Sequence, residues 1–323
     1  MNRLDKIKGC LMGGAIGDAL GYAVEFYLED ELFEKYGKDG ISEFELCRGI
    51  AQISDDTQMT LFTAVGLLMG KDYIPQINTA YLDWYHTQYD NDMDGKTWLY
   101  QVNELHHPRA PGGTCLTALS LGGNGTFEAP INDSKGCGGV MRVAPIGLYC
   151  EKDVCLLGAK AASLTHGHVL GYIPAGMLSQ LIHLIMTNEN NELKDLVLKA
   201  LEDTKEIFGD KLHFPYFEAL ILKAIELSES NQNDLACIHQ LGEGWVAEET
   251  LAIAIYSVLK YRNDFKKAVM VSVNHNGDSD STGSVTGNIL GTYLGYNALP
   301  SQYLNHLELK ETILKVAEDL LES

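Results

Sequence analysis

Two short stretches of the chain concentrate oxygen donors at spacings that suit a hard divalent cation. One is Ser54-Asp55-Asp56-Thr57. The other is Asn274-His275-Asn276-Gly277-Asp278-Ser279-Asp280-Ser281-Thr282-Gly283. Each places two carboxylates among hydroxyls at the expected start of a helix. A single Ser, Thr or Asp there would read as a cap, accepting orphan backbone N–H bonds and favoured by the helix dipole. Capping needs only one such side chain, whereas paired carboxylates repel unless a cation lies between them. Four carboxylates with neighbouring hydroxyls form an all-oxygen ligand set, which suits Mg²⁺ or Mn²⁺. No thiolate–imidazole pattern of the zinc type accompanies them.

The chain carries 44 acidic and 24 basic residues in 323, a formal net charge of −20. That balance argues against broad nucleic-acid binding, which needs clustered Lys and Arg. An anionic ligand must then be held by metal ions, backbone N–H groups or helix N-termini. Glycine clusters at 112–113, 122–125 and 136–139 permit tight turns and close backbone approach to a ligand. Lys135, the Gly136–Gly139 amides and the helix start that follows are the expected source of positive potential. Arg142 suits either that task or a structural ion pair. His166 and His168 lack a third partner and do not form a metal site on their own. Tyr81, Trp84, Tyr85 and Tyr89 read as a packed helix face.

These residues need a scaffold, and the hydrophobic spacing is helical almost throughout. Thr57 to Met69, Leu170 to Met186, Leu193 to Phe208, Phe214 to Leu227, Val246 to Leu259, Gly283 to Leu294 and Leu309 to Leu321 are expected helices. Ile41 to Ile53 is the only plausible hairpin. The polar stretches 188–192 and 228–234 read as loops. The expected fold is all-α, a compact globule of many helices.

Seven cysteines at wide spacing, without CxxC, point to a reducing compartment. The apolar stretch Cys10 to Gly17 is too short for an export signal and is interrupted by Asp18. No uninterrupted apolar run reaches the length of a membrane span. A cytoplasmic location, with no membrane and no nucleic-acid partner, is the expectation.

In order, the motifs Gly9-Cys10-Leu11-Met12-Gly13-Gly14-Ala15-Ile16-Gly17-Asp18-Ala19-Leu20-Gly21, Ser54-Asp55-Asp56-Thr57, Gly136-Cys137-Gly138-Gly139-Val140-Met141-Arg142, Leu164-Thr165-His166 and Gly277-Asp278-Ser279-Asp280-Ser281-Thr282 resemble the ADP-ribosylglycohydrolase family. The resemblance implies two Mg²⁺ ions, with Mn²⁺ as a substitute, held by Ser54, Asp55, Asp56, Asp278, Asp280 and Ser281 at a central dinuclear site of a compact single-domain orthogonal bundle over residues 1–323. Segments more than 200 residues apart would meet there within about 4 Å, which one domain does most simply. The resemblance implies catalytic roles for Glu25, Asp56 and Asp280. It places Ser134, Lys135, Gly136, Cys137, Gly138, Gly139 and His166 against the phosphates and distal ribose, with Cys137 standing where some relatives carry Asn. Gly242 to Glu249 resembles a loop that lines the adenosine pocket in bacterial members. The implied reaction removes ADP-ribose from a modified acceptor, either a protein or a small conjugate. The form of the last motif leans toward ADP-ribosyl-arginine, with ADP-ribosyl-serine or O-acetyl-ADP-ribose as alternatives and a non-catalytic ADP-ribose-binding role as a third.

Overall fold

The computed structural model describes residues 2–89, 94–188 and 191–322. Among them lie sixteen α-helices, four short 3-10 turns and no strand. In chain order the helices are α1 (Arg3–Tyr22), α2 (Glu29–Tyr36), α3 (Asp55–Leu68), α4 (Tyr73–Thr87), α5 (Gly113–Ser120), α6 (Ala144–Tyr149), α7 (Val154–Ser163) and α8 (Val169–Thr187). They continue with α9 (Leu193–Phe208), α10 (Phe214–Ser228), α11 (Asp234–Ile238), α12 (Ala247–Lys260), α13 (Phe265–Val273), α14 (Ser279–Leu294), α15 (Ser301–Leu304) and α16 (Lys310–Glu322). The fold is all-α, as the spacing of apolar residues indicates. Residues 189 and 190 of the expected 188–192 loop lie outside the described residues.

Helix α1 is the longest of the helices that the apolar spacing did not mark out. It contains Gly9, Gly13, Gly14, Gly17 and Gly21, and each glycine inside a helix costs about 0.5–1 kcal/mol relative to Ala. The cost is offset by the approach of α14. A Cβ on Gly13 would lie 2.4 Å from the Gly287 carbonyl oxygen, one on Gly17 would lie 1.9 Å from that of Gly283, and one on Gly9 would lie 2.1 Å from that of Gly291. The same is true in reverse, since a Cβ on Gly287 would meet the Gly13 carbonyl oxygen at 1.9 Å. The two helices therefore run antiparallel with their backbones in contact. The C-terminal end of α1 lies beside the N-terminal end of α14, where Gly21 abuts Ser279.

The expected hairpin is not a pair of strands. Cys47 and Ile50 exchange backbone hydrogen bonds of 2.9 and 3.1 Å around Arg48 and Gly49, both at positive φ. The arms then part. Ala51 pairs instead with the chain before α16, receiving a hydrogen bond from Glu308 N–H and donating one to the His306 carbonyl. A tight turn satisfies only its own backbone groups, and the distant segment claims the rest.

Helix α8 is long and apolar enough by length and composition to cross a membrane, yet 72% of its most apolar window is buried inside the protein. It is a central core helix, packed against α6, α7 and α9.

The α1–α14 contact is directly testable. Gly287→Ala puts a methyl group onto the Gly13 backbone, where no side chain can yield. We expect a loss of about 1–3 kcal/mol in denaturant unfolding. A change within 0.5 kcal/mol, the range usual for neutral surface substitutions, would show that the helices separate freely.

Candidate active site

The carboxylate segments are held by α1. Asp18, fully buried on that helix, accepts hydrogen bonds from Ser54 N–H at 2.9 Å and Thr57 N–H at 3.1 Å, and a further bond from the Thr57 hydroxyl. One buried carboxylate thus binds the first turn of α3. Ser54 is the N-cap of α3, its hydroxyl accepting from Asp56 N–H, and Asp278 is the N-cap of α14, accepting from Ser281 N–H at 3.2 Å. Capping and clustering therefore coexist.

The two segments meet. Ser281 Oγ donates to Asp56 Oδ1 at 3.2 Å across 225 residues of sequence. Asp55, Asp56 and Asp280 each offer an oxygen within 4.8 Å of the others, all three buried. Asp278 lines the same cavity but lies outside this triad, accepting a 2.7 Å hydrogen bond from the Cys137 thiol. Among the described residues no Lys, Arg or His pairs with any of these four aspartates. Asp56 Oδ2 and Glu25 Oε2 are buried without a hydrogen-bond partner. Orphaned buried carboxylate oxygens in an all-oxygen cluster are the donor set of a hard cation. The residues fit a metal, and the acidic triad is able to bind one.

The electrostatics agree. Burial, then the neighbouring carboxylates, holds Asp55, Asp56 and Asp280 well above the usual carboxylate range. Asp278 is raised by burial, against hydrogen bonds that oppose the shift. Burial pushes Asp18 up to about 6 despite the hydrogen bonds it accepts. Glu25 is pushed up to about 9 by burial and by Asp280, Asp55 and Asp18. Without a cation this site resists full ionisation.

A cavity of about 210 Å³ opens over the cluster. It is lined by Glu25, Asp55, Asp56, Asp278, Asp280 and Ser281 on one side and by Gly136, Cys137, Gly138 and His166 on the other. Of the expected contacts, Ser54, Ser134, Lys135 and Gly139 do not line it. Ser54 is fully buried beneath. Ser134 supports the loop, its hydroxyl accepting from Gly136 N–H at 3.3 Å. Lys135 is turned onto the buried Glu248 carboxylate and pairs with it. The Cys137 N–H is likewise spent on the Trp245 carbonyl at 3.2 Å. Arg142 takes neither role expected of it. It is fully buried, lies 4.2 Å from the Tyr81 ring centroid and donates to the Thr165 hydroxyl at 2.7 Å. His166 Nδ1 bonds the same hydroxyl. Burial and the nearby Arg142 push His166 down to about 3, so its ring is neutral.

Sequence assigns no task to Asp18, which stands there as a member of the Gly9–Gly21 motif and the end of an apolar run. Trp245, 41% exposed at the cavity edge, belongs to a loop fixed by the Glu249 carboxylate, which accepts from Glu243 N–H and Gly244 N–H. The segment after Arg109 supplies cavity wall through Ala110, Gly112, Gly113 and Thr114, and Gly112 N–H donates to Asp55 Oδ2 at 3.2 Å.

Each raised carboxyl group binds its proton more tightly in the folded state than in the unfolded chain. Its favourable contribution is complete below the ordinary carboxylate range near 4 and is lost as pH rises, through about 6 for Asp18 and about 9 for Glu25. His166 has the opposite sign but acts only below about 6.5, down to about 3. In chelator the thermal midpoint should therefore fall as pH rises from 6.5 to 9, and millimolar Mg²⁺ should flatten that slope. A midpoint in chelator that is level or rising over this window contradicts the assignment.

The model of the ADP-ribosylglycohydrolase family matches residues 1–323. The chain is 25% identical to the ADP-ribosylhydrolase ARH3 of Gallus gallus, covering 98% of this chain and 93% of that one. It is 23% identical to the ADP-ribosylarginine hydrolase Tri1 of Pseudomonas putida, covering 99% and 78%. A solved structure titled ADP-ribosylglycohydrolase-related protein complex superposes with a TM-score of 0.67 at 25% identity, covering 99% of this chain and 98% of that chain. With the family model matched from end to end and the same all-α architecture around an acidic cluster, the chain belongs to the ADP-ribosylglycohydrolase family of hydrolases.

Proposed function

We propose that the protein releases ADP-ribose from a modified acceptor by cleaving the bond at the anomeric carbon of the distal ribose, with ADP-ribosyl-arginine on protein as the preferred substrate. The observation that carries this reading is the Ser281–Asp56 contact, which joins the two acidic segments around orphaned carboxylate oxygens. The proposed ligands are Ser54, Asp55, Asp56, Asp278, Asp280 and Ser281, for two Mg²⁺ ions or Mn²⁺ in their place. Bound there, such ions would hold ribose hydroxyls, acidify a water and offset the carboxylate charge.

The chain's own groups account for the rest. The transition state of glycoside hydrolysis develops oxocarbenium character, which nearby carboxylates stabilise. Glu25, raised to about 9 and with Oε2 unpartnered, is suited to donate a proton to the departing acceptor. Asp56 and Asp280 orient the attacking water and take up its proton. The adenosine half would extend past Gly136–Gly138 toward Trp245. The arginine preference rests on charge: a guanidinium-bearing acceptor is cationic, and the ionisable groups of the lining are carboxylates, thiols and a neutral histidine. The name of the Tri1 relative supports the same reading. ADP-ribosyl-serine and O-acetyl-ADP-ribose are the second reading. Seven unpaired cysteines suit a reducing compartment, and the cytoplasm is the location we assign.

Incubation with ADP-ribosyl-arginine, an ADP-ribosyl-serine peptide and O-acetyl-ADP-ribose in the presence of Mg²⁺ tests the reading. Fastest release of free ADP-ribose from the arginine conjugate is expected, and release from none of the three ends the hydrolase assignment. Asp56→Asn and Asp280→Asn should each lower kcat by about 100-fold or more, while the thermal midpoint in chelator stays level or rises as like charge is relieved. Either variant retaining full activity would refute the ligand assignment.

A further inference from the structure

Arg109 and Glu308 form an ion pair of 2.9 Å in which the side chains are only 15% and 11% exposed. The pair touches neither the cavity nor the carboxylate cluster, and nothing above assigns it a task. Its neighbours suggest one. The second oxygen of Glu308 accepts from Ile53 N–H at 3.0 Å, one residue before Ser54. The backbone carbonyl of Arg109 accepts from Asp55 N–H at 3.0 Å, one residue after it. Ile53, Glu308, Arg109 and Asp55 therefore close a ring of hydrogen bonds around Ser54.

The ring reaches further on both sides. Beyond Arg109, Ala110 adopts a φ of 51°, a left-handed conformation that a residue with a Cβ disfavours. That turn delivers Gly112 N–H to Asp55 Oδ2. Arg109 thus sets the Asp55 backbone directly and, through the turn that follows, the Asp55 carboxylate. On the other side, Glu308 N–H donates to the Ala51 carbonyl, so residues 306–308 hold the chain on its way into α3. Breaking a mostly buried pair leaves an uncompensated charge, and such a pair is retained where it specifies one arrangement.

We infer that the Arg109–Glu308 pair is a positioning device for the Ser54–Asp56 segment, setting the affinity of the carboxylate cluster for divalent cations without touching the cation. The inference rests on the metal reading above. Partners that orient ligands without binding metal typically cost about 10–100-fold in metal affinity when removed.

Calorimetric titration with Mg²⁺ alone, on the full chain, tests it. Glu308→Gln should weaken Mg²⁺ binding by about 10-fold or more. Hydrogen exchange at the Ile53 and Asp55 amides should accelerate. Arg109→Lys, which keeps the charge but not the planar fork, should weaken binding in the same direction and serves if Glu308→Gln fails to fold. The double variant should bind no more weakly than the poorer single variant, because both break one ring. Glu318→Gln, in the exposed Lys8–Glu318 pair, should leave Mg²⁺ binding unchanged. A variant that loses thermal stability in chelator yet binds Mg²⁺ within twofold of the parent overturns the proposal, for the pair would then be structural only. A parent protein that binds no Mg²⁺ overturns the metal reading itself, and the two failures are told apart by that first titration.

Discussion

The backbone contact between α1 and α14 sets the geometry of everything that follows. Side chains on either helix face would hold the axes apart, and the glycines at 9, 13, 17, 283, 287 and 291 remove them. The gain is positional. With Gly21 against Ser279, the first turn of α14 is delivered to the end of α1, just before the segment that carries Glu25. Three residues before Gly21, Asp18 binds the first turn of α3 by two backbone amides and a hydroxyl. One helix therefore indexes both acidic segments. Their separation is set by rigid backbone rather than by the carboxylates, which left alone would move apart.

That arrangement stores like charge where water is scarce. Asp18, Glu25, Asp55, Asp56, Asp278 and Asp280 are all held above the ordinary carboxylate range, and no described cation pairs with the four cluster aspartates. A scaffold selected for stability alone would not collect them. Conflict between local chemistry and folding is concentrated here, as is expected at a functional centre. The apolar core, the caps and the surface ion pairs are elsewhere consistent with one another. Hydrophobic burial across the remaining helices supplies the stability that the carboxylate cluster takes away.

Much of this was legible in the residues. The carboxylate pairs at two helix starts, residues 136–138 of the glycine loop and the buried His166 all line one cavity, and the carboxylates alone suggested an oxygen-ligated cation. Amphipathic helices were legible because their apolar period survives: α9 begins and ends where the spacing places it. Helix α1 was not, because it is buried nearly all round and has no polar face to contrast with its apolar one. Its glycines read as loop residues until α14 is brought against them. Lys135 and Arg142 show the same limit for charge. A sequence shows that a cation is present but not which partner claims it, and here Glu248 and the Tyr81 ring do. Pairing over long separations, such as Arg109 with Glu308, leaves no local trace at all.

The committed cations bear on how an anion is received. With Lys135 engaged by Glu248, Arg142 sealed in the core, and the Gly136 and Cys137 amides already donating within the protein, the cavity wall offers a pyrophosphate little fixed positive charge. Attraction would then come mainly from the cations proposed at the carboxylate cluster. Recognition and activation of the substrate would depend on the same ions, so the protein would lose affinity for ADP-ribose and capacity for hydrolysis together when they are removed. An acceptor that is itself cationic gains from the opposite side of the balance, because the carboxylates at the cavity edge favour it in the ground state. They would also disfavour its departure until a proton is supplied, the role proposed above for Glu25, whose proton burial retains.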